Sequence, residues 1–189
     1  ALEAQLAVES DLQRLAGQPW FALLDSCRFA AGSGRYDIAG WAPRVTLTTH
    51  GDLTTVADAA GVRTSRDDPL ALLEAELAEG PPLPDLPFSG GALGMFAYDL
   101  GRRWMRLPGS AARDIDLPEM AVAIHDRALV VDHVAERAWY VHRGEPPAIV
   151  AADRAALAVP RTLTPAVLGP RFVVASDVGP DIARADYER

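Results

Sequence analysis

An α+β fold rich in strand is what this sequence predicts, and three observations carry it. Val45, Leu47 and Thr49 alternate with Arg44, Thr46 and Thr48, the period-two signature of a half-buried strand. Short apolar runs at residues 20–24, 91–100, 121–134 and 137–142 read as further strands. Helical patterns are fewer: residues 2–16, the segment after Asp68-Pro69, an alanine-rich stretch at residues 147–157 and a helix start at Asp181.

In chain order, Leu2, Leu6, Leu12 and Leu15 fall near one helical face, and Gly17 and Pro19 end that helix. Residues 20–24 form a continuous apolar run, expected as a buried strand. A flexible loop, residues 30–34, leads to Arg35-Tyr36-Asp37-Ile38. His50-Gly51-Asp52 then turns the chain, so that residues 53–56 return against 45–49 as a hairpin. Asp68 can cap free amides and Pro69 tolerates the first helical position, so a helix starts there with Leu70, Leu73, Leu77 and Ala78 as its apolar stripe. Four prolines in residues 80–87 make an extended connection. Gly90-Gly91 and Gly94 suit close backbone packing inside a sheet. Residues 121–134 and 137–142 are expected as two strands joined by a turn at Ala135-Glu136. Residues 172–175 suggest another strand. Asp181 is placed to cap a helix carrying Ile182, Ala185 and Tyr187, and because Arg189 follows within two turns, more protein is expected beyond it.

Composition narrows the function classes. The 189 residues carry a net charge of −8, so a broad nucleic-acid surface would need a basic patch larger than Arg102, Arg103 and Arg106. No apolar run approaches the roughly 18 residues needed to span a bilayer. Glu3, Glu9 and Asp11 interrupt any secretory pattern, and the one cysteine, Cys27, suits a cytoplasmic location.

The four histidines, His50, His125, His133 and His142, have no metal-ligand spacing and read as surface residues at hairpins and strand ends. Asp132-His133 does not read as an acid–base pair, because adjacent strand residues point to opposite faces. Gly32-Ser33-Gly34-Arg35 could cradle an anion, but on its own the pattern reads first as a mobile turn. Asp67-Asp68, Asp114 and Asp116 read as solvated loop carboxylates. No catalytic or metal-binding constellation is complete, so no such residue is assigned.

Several segments together resemble the amino-terminal region of the chorismate-utilising synthases, the family of anthranilate synthase component I and aminodeoxychorismate synthase component I. They are Leu23-Leu24-Asp25-Ser26, Arg35-Tyr36-Asp37-Ile38, residues 87–94 (PFSGGALG), Tyr98-Asp99-Leu100-Gly101-Arg102-Arg103 and residues 117–122 (LPEMAV), with Asp132-His133 where the family carries an Asp-His pair. Arg35-Tyr36-Asp37-Ile38 and Gly101-Arg102-Arg103 resemble the aminodeoxychorismate branch.

The resemblance implies a two-sheet α+β structure. Residues 1–175 would be an anthranilate synthase component I-like domain, and residues 176–189 the start of the chorismate-binding catalytic domain. It implies a tryptophan pocket at Ser26, Ser33, Gly34, Arg35 and Tyr36. For the full-length subunit it implies conversion of chorismate and ammonia to 4-amino-4-deoxychorismate, on the path to p-aminobenzoate and folate, with a glutamine amidotransferase partner delivering the ammonia. Mg²⁺ and the catalytic residues would belong to the later half, leaving this chain inactive alone. Anthranilate synthase component I, and a non-catalytic module for tryptophan binding or partner docking, are the alternative expectations.

Overall fold

The structure, a computed structural model, describes residues 2–4, 12, 14–26, 34–77, 83, 85–106, 115–157, 175, 179 and 183–187. Its strands are β1 (Leu2–Ala4), β2 (Ala22–Leu24), β3 (Tyr36–Gly40), β4 (Val45–His50), β5 (Leu53–Asp58), β6 (Gly61–Ser65), β7 (Gly91–Phe96), β8 (Met120–His125), β9 (Arg127–Asp132) and β10 (Arg137–His142). The helices are α1 (Pro69–Glu76), a 3₁₀ helix (Tyr98–Arg103), α2 (Pro147–Leu157) and α3 (Arg184–Tyr187). None of the described helices is long and apolar enough to cross a membrane.

The strands form two antiparallel five-stranded sheets, ordered β1-β10-β9-β3-β2 and β6-β5-β4-β8-β7. Two short crossings connect them. β3 passes to β4 through Trp41–Arg44, and β8 passes to β9 through the single residue Asp126. A strand predicted as one run is therefore two strands that serve different sheets.

Each sheet has its own apolar cluster. In the first, Leu129, Val131, Ala39, Ala138 and Tyr140 gather Trp41, Leu15 and Leu157. In the second, Leu47, Val56, Met120, Val122 and Ile124 take Leu73 from α1 and Leu100 from the 3₁₀ helix. Leu47 and Leu129 are fully buried, and burying such a side chain is worth about 1.5–3 kcal/mol. The sheets meet where Gly40 backs onto β7 and β8. A Cβ there would lie 2.8 Å from the His125 ring and 2.9 Å from Leu93. At Gly94 a Cβ would come within 2.1 Å of the Ala121 carbonyl oxygen, so only glycine lets β7 close on β8.

Helix α1 begins as expected. The Asp68 carboxylate accepts from the Leu70 and Ala71 amides at 2.8 and 3.3 Å, with Pro69 as the first helical residue. Its other oxygen accepts from the Trp104 indole at 3.0 Å and ties the 3₁₀ helix to the same point. Asp68 is thus a cap and not merely a solvated loop carboxylate. On α2, Asp153 accepts from Tyr140 at 2.7 Å and Arg127 at 2.9 Å, which pins the helix to the first sheet.

Several expectations are corrected. Leu2–Ala4 is a strand, because pairing with β10 outweighs a weak helical pattern; among the described residues of 2–16, helix appears at Leu12, Arg14 and Leu15. β2 is a short outer strand with Leu24 exposed, and not a buried one. On α1 it is Leu72 and Leu73 that pack inward, while Leu70 and Leu77 are exposed. The run from Gly91 ends at Phe96 and continues as 3₁₀ helix. His125 is fully buried between the sheets instead of at the surface. Ala78, the proposed Asp181 cap and all of residues 172–175 except Ala175 lie outside the described residues.

Candidate functional site

The residues expected to form a ligand pocket converge where β2, β3 and β9 end together. Ser26 lies two residues past the end of β2. Its amide donates to Asp37 Oδ1 at 2.8 Å, and its hydroxyl donates to the Tyr36 carbonyl at 2.6 Å. These two bonds return the chain onto β3. Gly34 holds a φ of 73°, a left-handed conformation that costs glycine nothing and lets Arg35 turn into the strand.

Arg35 forms a fork on Asp132, with Nε 3.1 and 3.0 Å from Oδ1 and Oδ2, and Nη2 2.7 Å from Oδ2. The planar guanidinium matches the carboxylate geometry, and such charge-assisted pairs are the strong ones. The same guanidinium lies 4.8 Å from the centre of the Tyr36 ring. Asp132 Oδ1 also accepts from the Val134 and Ala135 amides, at 2.9 and 3.0 Å, which closes the turn into β10. The Arg35 fork, opposed by burial and helped by those amides, holds the Asp132 carboxyl down to about 2. Arg35 is itself pushed up, chiefly by its bond to Asp132.

A second latch lies beside the first. His133 Nε2 sits 2.8 Å from Asp37 Oδ2, an ion pair when the imidazole is protonated, and the His133 amide donates to the Arg35 carbonyl at 2.9 Å. Register places Tyr36 opposite Asp132 and Asp37 opposite Val131, so the two carboxylates occupy opposite faces of the first sheet. Asp132 and His133 therefore take different partners and are not an acid–base pair.

The structure thus brings Ser26, Gly34, Arg35 and Tyr36 together; Ser33 lies outside the described residues, as do Cys27 and the rest of the loop. Reasoning from residue types alone missed Asp37, Asp132 and His133 as members. Their signal was present: Asp37 interrupts the strand 36–40, and Asp132 ends the apolar run 128–131. A carboxylate in such a place needs a partner. Chemically the cluster offers a half-exposed guanidinium beside an aromatic ring, a small hydroxyl and two anchored carboxylates. That is an arrangement that positions side chains, and among its described residues there is no nucleophile with an adjacent general base.

A separate cavity of about 680 Å³ lies near Trp20, Ala42, Pro43, Arg44 and Asp126, and its charged walls are paired. Arg44 meets Asp126 at 3.0 Å, and Arg127 meets Asp153 at 2.9 Å and Glu145 at 3.6 Å. Among the described residues no group of three His, Cys, Asp or Glu could hold a metal ion.

No protein-family model matches the chain. Over 167 residues it is 45% identical to aminodeoxychorismate synthase component 1 of Klebsiella aerogenes, covering 85% of this chain and 37% of that protein. Over 119 residues it is 50% identical to the protein of the same name from Salmonella typhimurium, covering 61% of this chain and 26% of that one. Anthranilate synthase chains match at lower identity, 34% for an Arabidopsis thaliana alpha subunit and 32% for component 1 of Acetivibrio thermocellus. The chain therefore spans roughly a third or less of the length of these relatives. Among solved structures it is similar to anthranilate synthase component I from Streptococcus pneumoniae, with a TM-score of 0.57 and 21% identity, over 81% of this chain and 34% of that one. That likeness is one of fold: two antiparallel sheets with few helices.

Proposed function

We propose that the chain belongs to the amino-terminal part of the aminodeoxychorismate synthase component 1 family, with anthranilate synthase component I as its neighbouring branch, and that it is the scaffold portion of a subunit making 4-amino-4-deoxychorismate. The whole subunit would take chorismate and replace its C4 hydroxyl with an amino group. Ammonia would come from glutamine through an amidotransferase partner, in the cytoplasm, in support of p-aminobenzoate and folate synthesis. The observation that carries this reading is the near-half identity to proteins of that name along most of the chain. The anthranilate alternative has weaker support, since chains of that name are more distant.

The described residues do not fit a Mg²⁺ centre, and no step of the reaction is assigned to them. Their part is architectural, with one addition. Ser26, Gly34, Arg35 and Tyr36 would receive tryptophan, the ring against Tyr36 and the amino-acid ends toward polar groups nearby. Support comes from the convergence of these residues on the anchored carboxylates of Asp37 and Asp132.

The test uses the full-length subunit with its partner component, chorismate and glutamine, and identifies the product by mass spectrometry. Aminodeoxychorismate is expected; anthranilate as the product would favour the other branch. The 189-residue chain alone should fail to rescue a strain lacking the enzyme, and rescue would overturn the scaffold role. Tryptophan should raise the melting temperature of the full-length protein, and Ser26→Ala with Tyr36→Ala should abolish that rise. An unchanged rise in the double variant would remove the pocket from this position.

A further inference from the structure

Strand β3 carries a carboxylate where its own packing calls for an apolar residue. Asp37 lies on the same face as Ala39 and stands opposite Val131, and both of those belong to the apolar cluster of the first sheet. Asp37 is 9% exposed, and a carboxylate so placed costs stability unless its oxygens are bonded. Both oxygens have partners: Oδ1 accepts from the Ser26 amide at 2.8 Å, and Oδ2 lies 2.8 Å from His133 Nε2. A residue that breaks the pattern of its strand and is satisfied elsewhere points to a role other than packing.

The His133 side chain is likewise not needed by the sheet around it. Pairing of β3 with β9 ends at Tyr36 and Asp132, and the His133 main chain extends it by donating its amide to the Arg35 carbonyl at 2.9 Å. The imidazole takes no part in that ladder. It is 40% exposed, and its described polar partner is Asp37. The line Ser26–Asp37–His133 therefore ties together the ends of β2, β3 and β9. It does so from the face opposite the one on which Tyr36 stands against Asp132. The Ser26 hydroxyl in turn donates to the Tyr36 carbonyl at 2.6 Å. Two bonds thus fix Ser26 beside Tyr36, and Asp37 holds one of them.

We infer that Asp37 and His133 are positioning residues of the Ser26–Tyr36 site: acting from the far face of the sheet, they hold Ser26 where it receives a ligand. The inference rests on the proposed reading of that site as one for tryptophan. Binding groups work when they are held within about 0.5 Å of their productive geometry by side chains that hydrogen bonds have locked. An aspartate with one bonded oxygen still turns about its side-chain torsions. With Oδ2 tied to His133, just past the end of β9, Oδ1 is aimed at the Ser26 amide. Loss of the imidazole leaves the β3–β9 ladder whole, gives Oδ2 to water and lets Ser26 drift from Tyr36.

Tryptophan binding by the full-length subunit, measured by isothermal titration, tests this together with hydrogen exchange of the Ser26 amide in the ligand-free protein. His133→Ala should weaken tryptophan binding about tenfold and speed Ser26 exchange by a similar factor. His133→Gln keeps an N–H donor at comparable reach and should bring both values back to within about threefold of wild type. Asp37→Asn combined with His133→Ala should weaken binding no more than the stronger of the two single changes, because the pair acts as one unit. Val134→Ala trims a neighbouring exposed side chain and should change affinity less than about twofold. Melting temperature is read on every variant. A lowered melting temperature in His133→Ala with unchanged affinity would make the latch structural only and overturn the inference. Failure of His133→Gln to restore what His133→Ala loses would overturn it as well. A wild-type protein that binds no tryptophan removes the tryptophan reading and the role with it, whereas tight binding by both wild type and His133→Ala removes the role alone.

Discussion

Replacing Asp132 by asparagine removes the charge from the Arg35 latch while keeping side-chain size and one acceptor oxygen. The native carboxyl titrates at about 2, against about 3.9 in an unfolded chain. A gap of about two units corresponds to roughly 2.6 kcal/mol. Arg35 is half exposed, and solvent screening reduces the pair's contribution to about 1–1.5 kcal/mol. Because the folded value lies below the unfolded one, this stability is fully present above about pH 4 and is lost as pH falls through about 2. Urea unfolding should find Asp132→Asn about 1–1.5 kcal/mol less stable than wild type near neutral pH. The two should converge as the medium is acidified below about pH 2. Arg35→Met should give the same converging curve, and the double variant should cost little more than either single change. A difference that stays constant from neutral to acid pH would refute the charge argument and leave only packing.

Three further outcomes follow from other parts of the molecule. His125 is fully buried, with Nδ1 3.5 Å from the Trp41 carbonyl oxygen and Nε2 without a partner among the described residues, and burial holds its pKa below the usual value. The unfolded chain takes up that proton first, so stability should rise with pH up to about 6.5, and His125→Phe should flatten this slope in unfolding curves between about pH 5 and 7. Gly94→Ala drives a Cβ into the Ala121 carbonyl; it should cost about 2–3 kcal/mol, read as a melting temperature lowered by roughly 5–10 °C. Asp68→Ala removes a helix cap and the acceptor of the Trp104 indole; it should lower the urea midpoint of unfolding, and an unchanged midpoint would show the cap to be replaced by water.

Local chemistry was legible in the sequence where the deciding interactions are local. The β4–β5 hairpin, the Asp68 cap of α1, the Ala135-Glu136 turn and α2 could all be read from their own residues. What escaped is set by distant partners. Leu2–Ala4 is a strand because β10 pairs with it, and nothing within those residues says so. Residues 121–134 look like one strand because every position is compatible with extension; the break at Asp126 exists because two sheets claim its two sides. His125 was read as surface because a histidine usually is, whereas Gly40 of the other sheet makes room for its ring. At the candidate site the resemblance pointed to Ser26, Gly34, Arg35 and Tyr36, which the fold gathers, but not to the anchoring carboxylates, since Arg35 finds Asp132 only across 97 positions.

The one-residue passage from β8 to β9 also bears on how this chain is made. β8 lies between β4 and β7, and β9 lies between β10 and β3, so residues 120–132 supply one interior strand to each sheet. On the ribosome β3 and β4 emerge some 70–95 residues before their partners, and at about 5–20 residues per second they wait roughly 4–20 s. During that interval each presents an unpaired side to the cell. A slow codon run or a stall upstream of Met120 would lengthen the exposure of both sheets at once, and chaperone capture of the nascent chain should peak just before Asp132 clears the exit tunnel.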